Sequence, residues 1–251
     1  DKFEELCDLK QPLLINNINL LDINMKIISN NYNTFEIKII NKDNKNLYLP
    51  LKLSAALELF EKDISGNYIS EKNKEFIDET TLFKQFSTND YFLRPLGTVN
   101  IEYDLIFGSI NSYTPLRYNL NSRNFYSVVS GSIEVTLCPP KDYKYLYITK
   151  DYENFNFSSN VNILNPQDEY KNEFEKVKFL RIILEPNKLL QIPAYWFYSI
   201  KILKNNTLIT NYKYSTYINM ISMFPELFVK LLQNNNIKKN LAKIADIKRH
   251  S

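Results

Sequence analysis

The sequence predicts a mainly β protein with a closed or sandwiched antiparallel architecture. Tyr and Phe are abundant, with 18 and 16 copies, whereas Gly occurs only four times, and aromatic residues favour strands. From residue 92 onward, short segments of strand character follow one another with turn residues between them, as barrels and sandwiches require. The 251 residues are enough for one large core.

The region before this succession of strands is predicted to be mixed. A hairpin is expected at 33–51, where alternating apolar residues flank a polar turn, and a helix is expected at 54–64 with Ser54 as its N-cap. A second short helix is expected within 75–86. Residues 1–90 therefore form a helical and stranded extension that packs on the barrel.

The strands are expected within residues 91–215, interrupted by a polar insert at 141–178 that is predicted to loop out. Residues 216–251 follow as a helical tail. From residue 226 to the end the chain has six Lys or Arg and two acidic residues, a net charge of +4, so the rest of the chain, with a total of +3, has a net charge of −1. The basic residues that we expect to form an interaction surface there are Lys238, Lys239, Lys243, Lys248 and Arg249.

Composition also restricts the chemistry. Cys7 and Cys138 lie far apart in the sequence and fit neither a zinc pattern nor a disulfide framework, which favours a reducing, intracellular compartment. No apolar run is long enough for a membrane span. The chain starts at Asp1 without Met, so removal of an upstream targeting segment is an open alternative.

Three segments in order then resemble the Jumonji-C and cupin-like 2-oxoglutarate oxygenases, particularly the asparaginyl hydroxylase of the hypoxia-inducible factor. They are "FGSINSYTPLRYNL" (107–120), "NFYSVVSGSIEVTLCPP" (124–140) and "IILEPNKLLQIPAYWFYSI" (182–200). The resemblance implies a double-stranded β-helix, also called a jelly roll or cupin barrel, over roughly residues 90–215. It also implies an iron site with two His and one carboxylate, which is a geometry typical of ferrous oxygenases.

The positions that the resemblance assigns to these ligands hold other residues. Arg117 and Tyr198 stand at the two His positions and Asn119 stands at the carboxylate position. In the family a lysine binds the cosubstrate, and the corresponding position in this chain is Ile133. The whole chain has one histidine, His250, so a two-histidine site cannot be assembled under any alignment. We therefore expect no catalytic residue, no metal and no cofactor.

Two interpretations of the former pocket stay open. In the first, the Arg117 guanidinium fills the space and bonds neighbouring carbonyls, Asn119 and Tyr198. In the second, Arg117 binds a small anion or a peptide, because some polar positions of the family pocket are retained. These positions are Thr114, Asn124 and Asn211.

The leading functional hypothesis is an inactive barrel that acts as a structural or protein-interaction subunit, in a hetero-assembly or as a homodimer through its C-terminal helices. A binding module at the former pocket is the alternative. Nucleic-acid contact through the basic tail is a third hypothesis and predicts steep salt dependence. An active enzyme of another type is the least favoured.

Overall fold

In the computed structural model, residues 2–18, 20–21, 23–42 and 47–249 are described, except for the side chains of residues 89 and 237–249. The strands are β1 (Leu13–Asn16), β2 (Glu36–Asn41), β3 (Tyr48–Lys52), β4 (Tyr68–Ser70), β5 (Thr98–Gly108), β6 (Arg117–Tyr118), β7 (Arg123–Ser130), β8 (Ile133–Cys138), β9 (Ile148–Asp151), β10 (Asn156–Ser159), β11 (Leu180–Leu184), β12 (Lys188–Gln191), β13 (Phe197–Ile202) and β14 (Leu208–Thr216).

The helices lie mostly at the two ends of the chain. They are α1 (Lys2–Asp8), α2 (Met25–Tyr32), α3 (Leu53–Lys62), α4 (Lys74–Asp78), α5 (Leu82–Asn89), α6 (Asp168–Phe174), α7 (Tyr217–Ser222) and α8 (Phe224–Arg249), with 3-10 turns at Tyr91–Leu93 and Pro140–Tyr145. Within the described residues, no helix combines the length and the apolar character that crossing a bilayer needs.

Two antiparallel sheets face each other. The larger has the order β1-β12-β7-β14-β5-β4-β2-β3, and the smaller has the order β11-β8-β13-β6-β10-β9. This arrangement, with its flanking helices, is the double-stranded β-helix that the sequence predicts. In each sheet, strands that are far apart in the sequence lie next to each other, because such a barrel closes by pairing strands from its two halves.

The strands have different neighbours on their two faces, because successive side chains of a strand point to opposite sides. On β14, Ile209 points between the sheets, whereas Leu208 and Tyr212 pack against the N-terminal helices. On β13, Ile200 points between the sheets and Phe197 packs against the insert and α8. The same alternation places the polar residues of these strands inside the barrel.

Several local predictions are confirmed and others are wrong. The hairpin at 33–51 forms as β2 and β3, with its turn at 43–46 outside the described residues. Ser54 does not cap α3, because that helix begins one residue earlier and its N-cap, Lys52, makes no side-chain capping bond. The segment 75–86 contains two helices rather than one.

The insert at 141–178 does not loop out. It contains β9, β10 and α6, and β10 pairs with β6, so the insert extends the smaller sheet. Its aromatic residues make this possible, since Phe157 packs on Tyr118 of β6 with ring centroids 5.2 Å apart. The N-terminal segment also joins a sheet, because β4 pairs with β5.

Candidate functional site

One end of the barrel interior is an open, polar cavity of about 460 Å³. Strands from both sheets line it, together with the segment after β4 and the helices α7 and α8. Its lining includes the three predicted ligand positions, Arg117, Asn119 and Tyr198, and also Asn211. The structure therefore brings these four residues together.

Arg117 forms a buried ion pair with Glu71. Its Nη1 donates to Glu71 Oε1 at 2.7 Å, and its Nη2 contacts Glu71 Oε2, so the two planar groups meet through two parallel contacts. Arg117 is only 8% exposed and Glu71 only 4%. Two such bonds are the geometry in which a guanidinium binds a carboxylate most strongly.

The ion pair decides the charge state of Glu71. Burial would raise the pKa of this carboxyl, but the Arg117 charge and its hydrogen bonds outweigh burial and hold the pKa at about 2. The Tyr48 hydroxyl also donates to Glu71 Oε1 at 3.0 Å. Glu71 therefore carries its negative charge at neutral pH and neutralises Arg117.

The predicted partners of Arg117 were wrong. The guanidinium donates to Glu71 rather than to Asn119 or Tyr198, although its carbon lies over the Tyr198 ring at 5.7 Å from the centroid. The partner, Glu71, follows β4 in the N-terminal segment, 46 residues before Arg117 in the sequence. Glu71 was not predicted from the sequence, because the segment "SEKNK" (70–74) has the composition of a surface loop.

A second set of charged side chains lies on β5 and β14, beside the Arg117–Glu71 ion pair. Lys213 faces Glu102 across these strands, and its Nζ donates to Glu102 Oε1 at 2.6 Å. Asp104 accepts from the backbone N–H groups of Lys72 and Asn73, both at 2.8 Å. Burial raises the pKa of Asp104 to about 6 despite these bonds.

Further hydrogen bonds connect the polar side chains of the interior. Tyr126 donates through its hydroxyl to the Tyr198 hydroxyl at 3.0 Å. The Asn211 amide donates to Asn124 Oδ1 at 2.6 Å and to the Phe125 carbonyl at 2.9 Å. Asn124 is thus placed next to the cavity through its bond to Asn211.

Besides Asn124, two further predicted pocket residues, Thr114 and Ile133, are not part of the cavity lining. The Thr114 hydroxyl accepts from the Ile200 backbone N–H at 3.0 Å, so it connects two chain segments. Ile133 is fully buried among the apolar side chains between the two sheets. The position that holds the cosubstrate lysine in the resembling enzymes is therefore closed by an aliphatic core residue.

The side chains at the ligand positions do not fit the ferrous ion that the resemblance implies. Arg117 supplies a permanent cation where a metal would lie, and Asn119 and Tyr198 supply an amide and a phenol instead of a carboxylate and an imidazole. In the part of the chain that the structure describes, no group of three or more His, Cys, Asp or Glu side chains is placed to hold a metal.

The basic tail belongs to α8, but Lys238, Lys239, Lys243, Lys248 and Arg249 lie among the residues whose side chains are outside the described part. The first turns of α8 and the preceding α7 are described. They expose a row of large apolar side chains: Tyr217, Ile218, Ile221, Phe224, Phe228, Leu231 and Leu232. The sequence had indicated helices here but not which of their faces is exposed.

The two facing antiparallel sheets and the polar end of their interior define a protein of the cupin class. A sequence profile described as a cupin-like domain matches residues 31–220, and this chain belongs to that family. The match starts at residue 31, within the segment 1–90 that was predicted to be an extension packed on the barrel.

The chain is also similar to curated mammalian proteins. It is 28% identical over 137 residues to HSPB1-associated protein 1 of Rattus norvegicus, which covers 54% of this chain and 28% of the relative. The human protein of the same name is 28% identical over 127 residues, covering 50% of this chain and 26% of the relative. The chain thus spans less than a third of the length of these relatives.

Proposed function

We propose that this chain is a catalytically inactive cupin-like domain that serves as a protein-interaction subunit of a larger assembly. The observation that carries the proposal is the exposed apolar surface of α7 and α8. Ile218 is 81% exposed, Ile221 is 74% exposed and Phe224 is 63% exposed. Contiguous exposed apolar surface of this kind marks interaction sites in soluble proteins.

The spacing of these residues identifies the kind of partner. On α8, Phe224, Phe228 and Leu231 follow one another at intervals of four and three residues, and Ile221 precedes them near the end of α7. This is the spacing at which side chains of one helix insert between those of a second helix. The partner is therefore a protein chain that presents an apolar helical face, either a different protein or a second copy of this one.

The inactivity of the domain is supported by Arg117 and Glu71. The guanidinium stands at a metal-ligand position, is buried and is already neutralised by a carboxylate. A guanidinium has only hydrogen-bond donors and no acceptor atom, so Arg117 cannot take the place of the metal-coordinating imidazole. The relatives are named for association with another protein, HSPB1, and a role in association is what we propose for this chain as well.

The interaction role is tested by affinity purification from the native source, comparing the wild-type chain with Phe224→Asp/Phe228→Asp. Ile64→Asp is the matched control, because Ile64 is also an exposed apolar residue but lies after α3. We expect a stoichiometric assembly with the wild type and the control that is lost with the double variant. Light scattering on the purified chain identifies a second copy as the partner.

Two results would contradict the proposal. One is recovery of the wild-type chain as an isolated monomer. The other is an assembly that survives the double variant unchanged. Inactivity is tested separately, by metal analysis and a 2-oxoglutarate turnover assay after incubation with ferrous ion, for which we expect neither stoichiometric iron nor turnover.

A further inference from the structure

The cavity is lined by more cations than carboxylates. Among the residues that line it are six Lys or Arg and four Asp or Glu side chains. The carboxylates are already engaged: Glu71 with Arg117, Glu102 with Lys213, Glu75 with Lys38, and Asp104 with two backbone N–H groups. The negative charges of the lining are therefore satisfied within the protein.

Two of the six cations in the lining lack a carboxylate partner. Within the described residues, Lys72 and Lys230 have no carboxylate oxygen at ion-pair distance, and each ammonium lies over an aromatic ring instead. Lys72 Nζ is 4.9 Å from the centroid of Tyr48, and Lys230 Nζ is 4.8 Å from that of Phe155. Lys72 is also half-buried, and an ammonium in such a position favours an anion nearby.

Two buried hydrogen-bond donors in the same lining also lack partners. They are Arg117 Nε, on a side chain that is nine-tenths buried, and Asn119 Nδ2. Buried polar groups of folded proteins are nearly always hydrogen-bonded, so such groups in a cavity indicate a missing acceptor. The unsatisfied groups that line the cavity are thus ammonium and N–H groups, all of which bind oxygen acceptors.

We propose that the cavity binds a small organic anion through a phosphate or carboxylate group, with Lys72 as the charged contact and Arg117 Nε and Asn119 Nδ2 as hydrogen-bond donors. The volume of about 460 Å³ is in the range of small-molecule sites. Burial, together with the charges of Arg117 and Lys213, lowers the pKa of Lys72 although Glu71 opposes this. A bound anion would relieve the repulsion among these three cations.

The charged contact, Lys72, is distinct from the cosubstrate lysine that the resemblance implies. The position of that lysine is Ile133, which is fully buried in the apolar core. Lys72 comes instead from the N-terminal segment, next to Glu71. It is separate from the exposed apolar face of α7 and α8 as well, so either proposal can fail without the other.

The test is calorimetric titration of the whole chain with inorganic phosphate and, separately, with acetate, at constant ionic strength. The variant is Lys72→Asn, because Lys72 has a φ of 62° and Asn is among the residues that tolerate this left-handed conformation. Lys10→Asn is the matched control, since Lys10 has a φ of 54° and pairs with Asp8 at the surface, away from the cavity. Asn119→Ala is a second variant that leaves the backbone of residue 72 untouched.

We expect saturable binding of at least one of the two anions by the wild type and by Lys10→Asn. Binding to Lys72→Asn should be roughly 10- to 100-fold weaker, which is the loss typical of one charge-assisted hydrogen bond. If Lys72→Asn does not fold, as circular dichroism would show, Asn119→Ala must show weaker binding instead. Binding of phosphate alone identifies a phosphoryl ligand and binding of acetate alone a carboxylate.

Absence of saturable binding of either anion to the wild type would overturn the proposal. So would unchanged affinity in a folded Lys72→Asn variant, or an equal loss in Lys10→Asn, because binding would then reflect general surface charge.

Discussion

The two ends of the barrel interior are built from the same strands but are stabilised by different interactions. At the closed end, Ile133, Ile200 and Ile209 fill the space between the sheets as an ordinary core, and Ile106 of β5 belongs both to this core and to the cavity lining. At the open end, the same strands present Asp104, Tyr198 and Lys213 around a cavity. The closed end is stabilised by apolar burial, whereas the open end depends on each buried charge having a partner.

Loss of the buried Arg117–Glu71 ion pair at the open end should give the largest decrease in the free energy of unfolding. Glu71→Gln removes the carboxylate and leaves Arg117 as a buried cation without a counter-charge. We expect the free energy of unfolding to fall by about 3–5 kcal/mol, the loss typical of a buried pair that is broken on one side. Urea denaturation measures it.

Glu75→Gln is the control for this experiment, because Glu75 pairs with Lys38 at the surface. Exposed pairs contribute at most about 1 kcal/mol, so this variant should remain close to the wild type. Equal effects of the two substitutions would show that the Arg117–Glu71 pair is not specially important.

The closed end should respond to loss of volume rather than loss of charge. Ile200→Ala creates a cavity among fully buried side chains, and we expect a loss of about 2–5 kcal/mol in the free energy of unfolding. Ile183→Ala on β11 is the control, since Ile183 is 55% exposed, and its loss should be no more than about 0.5 kcal/mol. Similar losses for both would mean that the closed end is not packed as a core.

The open end should also show a pH dependence that the closed end cannot have. The pKa of Asp104 is raised to about 6 in the folded protein, above its ordinary value of about 3.9. Between these values the folded state keeps a proton that the unfolded state has lost, so the free energy of unfolding falls as the pH rises from about 4 to about 6. The fall is at most about 3 kcal/mol.

Asp104→Asn should remove most of this fall, and Asp151→Asn, at the surface of the insert, should leave it in place. Denaturation curves between pH 4 and pH 7 measure the difference. Glu71 does not interfere in this range, because its pKa is lowered to about 2 and its contribution is lost only as the pH falls below about 4. A parallel fall in the wild type and Asp104→Asn would contradict the assignment.

The smallest expected effect concerns the hydrogen bond at the boundary between the two ends. Tyr126→Phe deletes the hydroxyl that donates to Tyr198, and we expect a loss of about 1 kcal/mol in the free energy of unfolding. Tyr195→Phe is the control, because Tyr195 is 45% exposed. No difference between these two variants would mean that the hydrogen bond between the hydroxyls adds nothing to stability.

The resemblance identified four members of the cavity lining, Arg117, Asn119, Tyr198 and Asn211, but it could not identify the partner of Arg117. It placed Arg117, Asn119 and Tyr198 together because residues two apart on a strand share a face, and because the motif that contains Tyr198 belongs to a strand of the same barrel. Glu71 and Lys72 lie in a short polar segment with no periodicity. The sequence of such a segment does not indicate which way its side chains point. The same is true of the insert, whose aromatic side chains only become a sheet surface when β10 meets β6.

By itself, the sequence determined a succession of antiparallel strands and excluded a two-histidine metal site, because periodicity and composition are local or global properties of the chain. The double-stranded β-helix was implied by the resemblance of three segments to the cupin-like oxygenases. Only the tertiary structure decided which carboxylate neutralises the buried guanidinium and that one end of the interior is left open. Those outcomes depend on contacts between segments far apart in sequence, and such contacts are set by the path of the whole chain rather than by any one stretch of it.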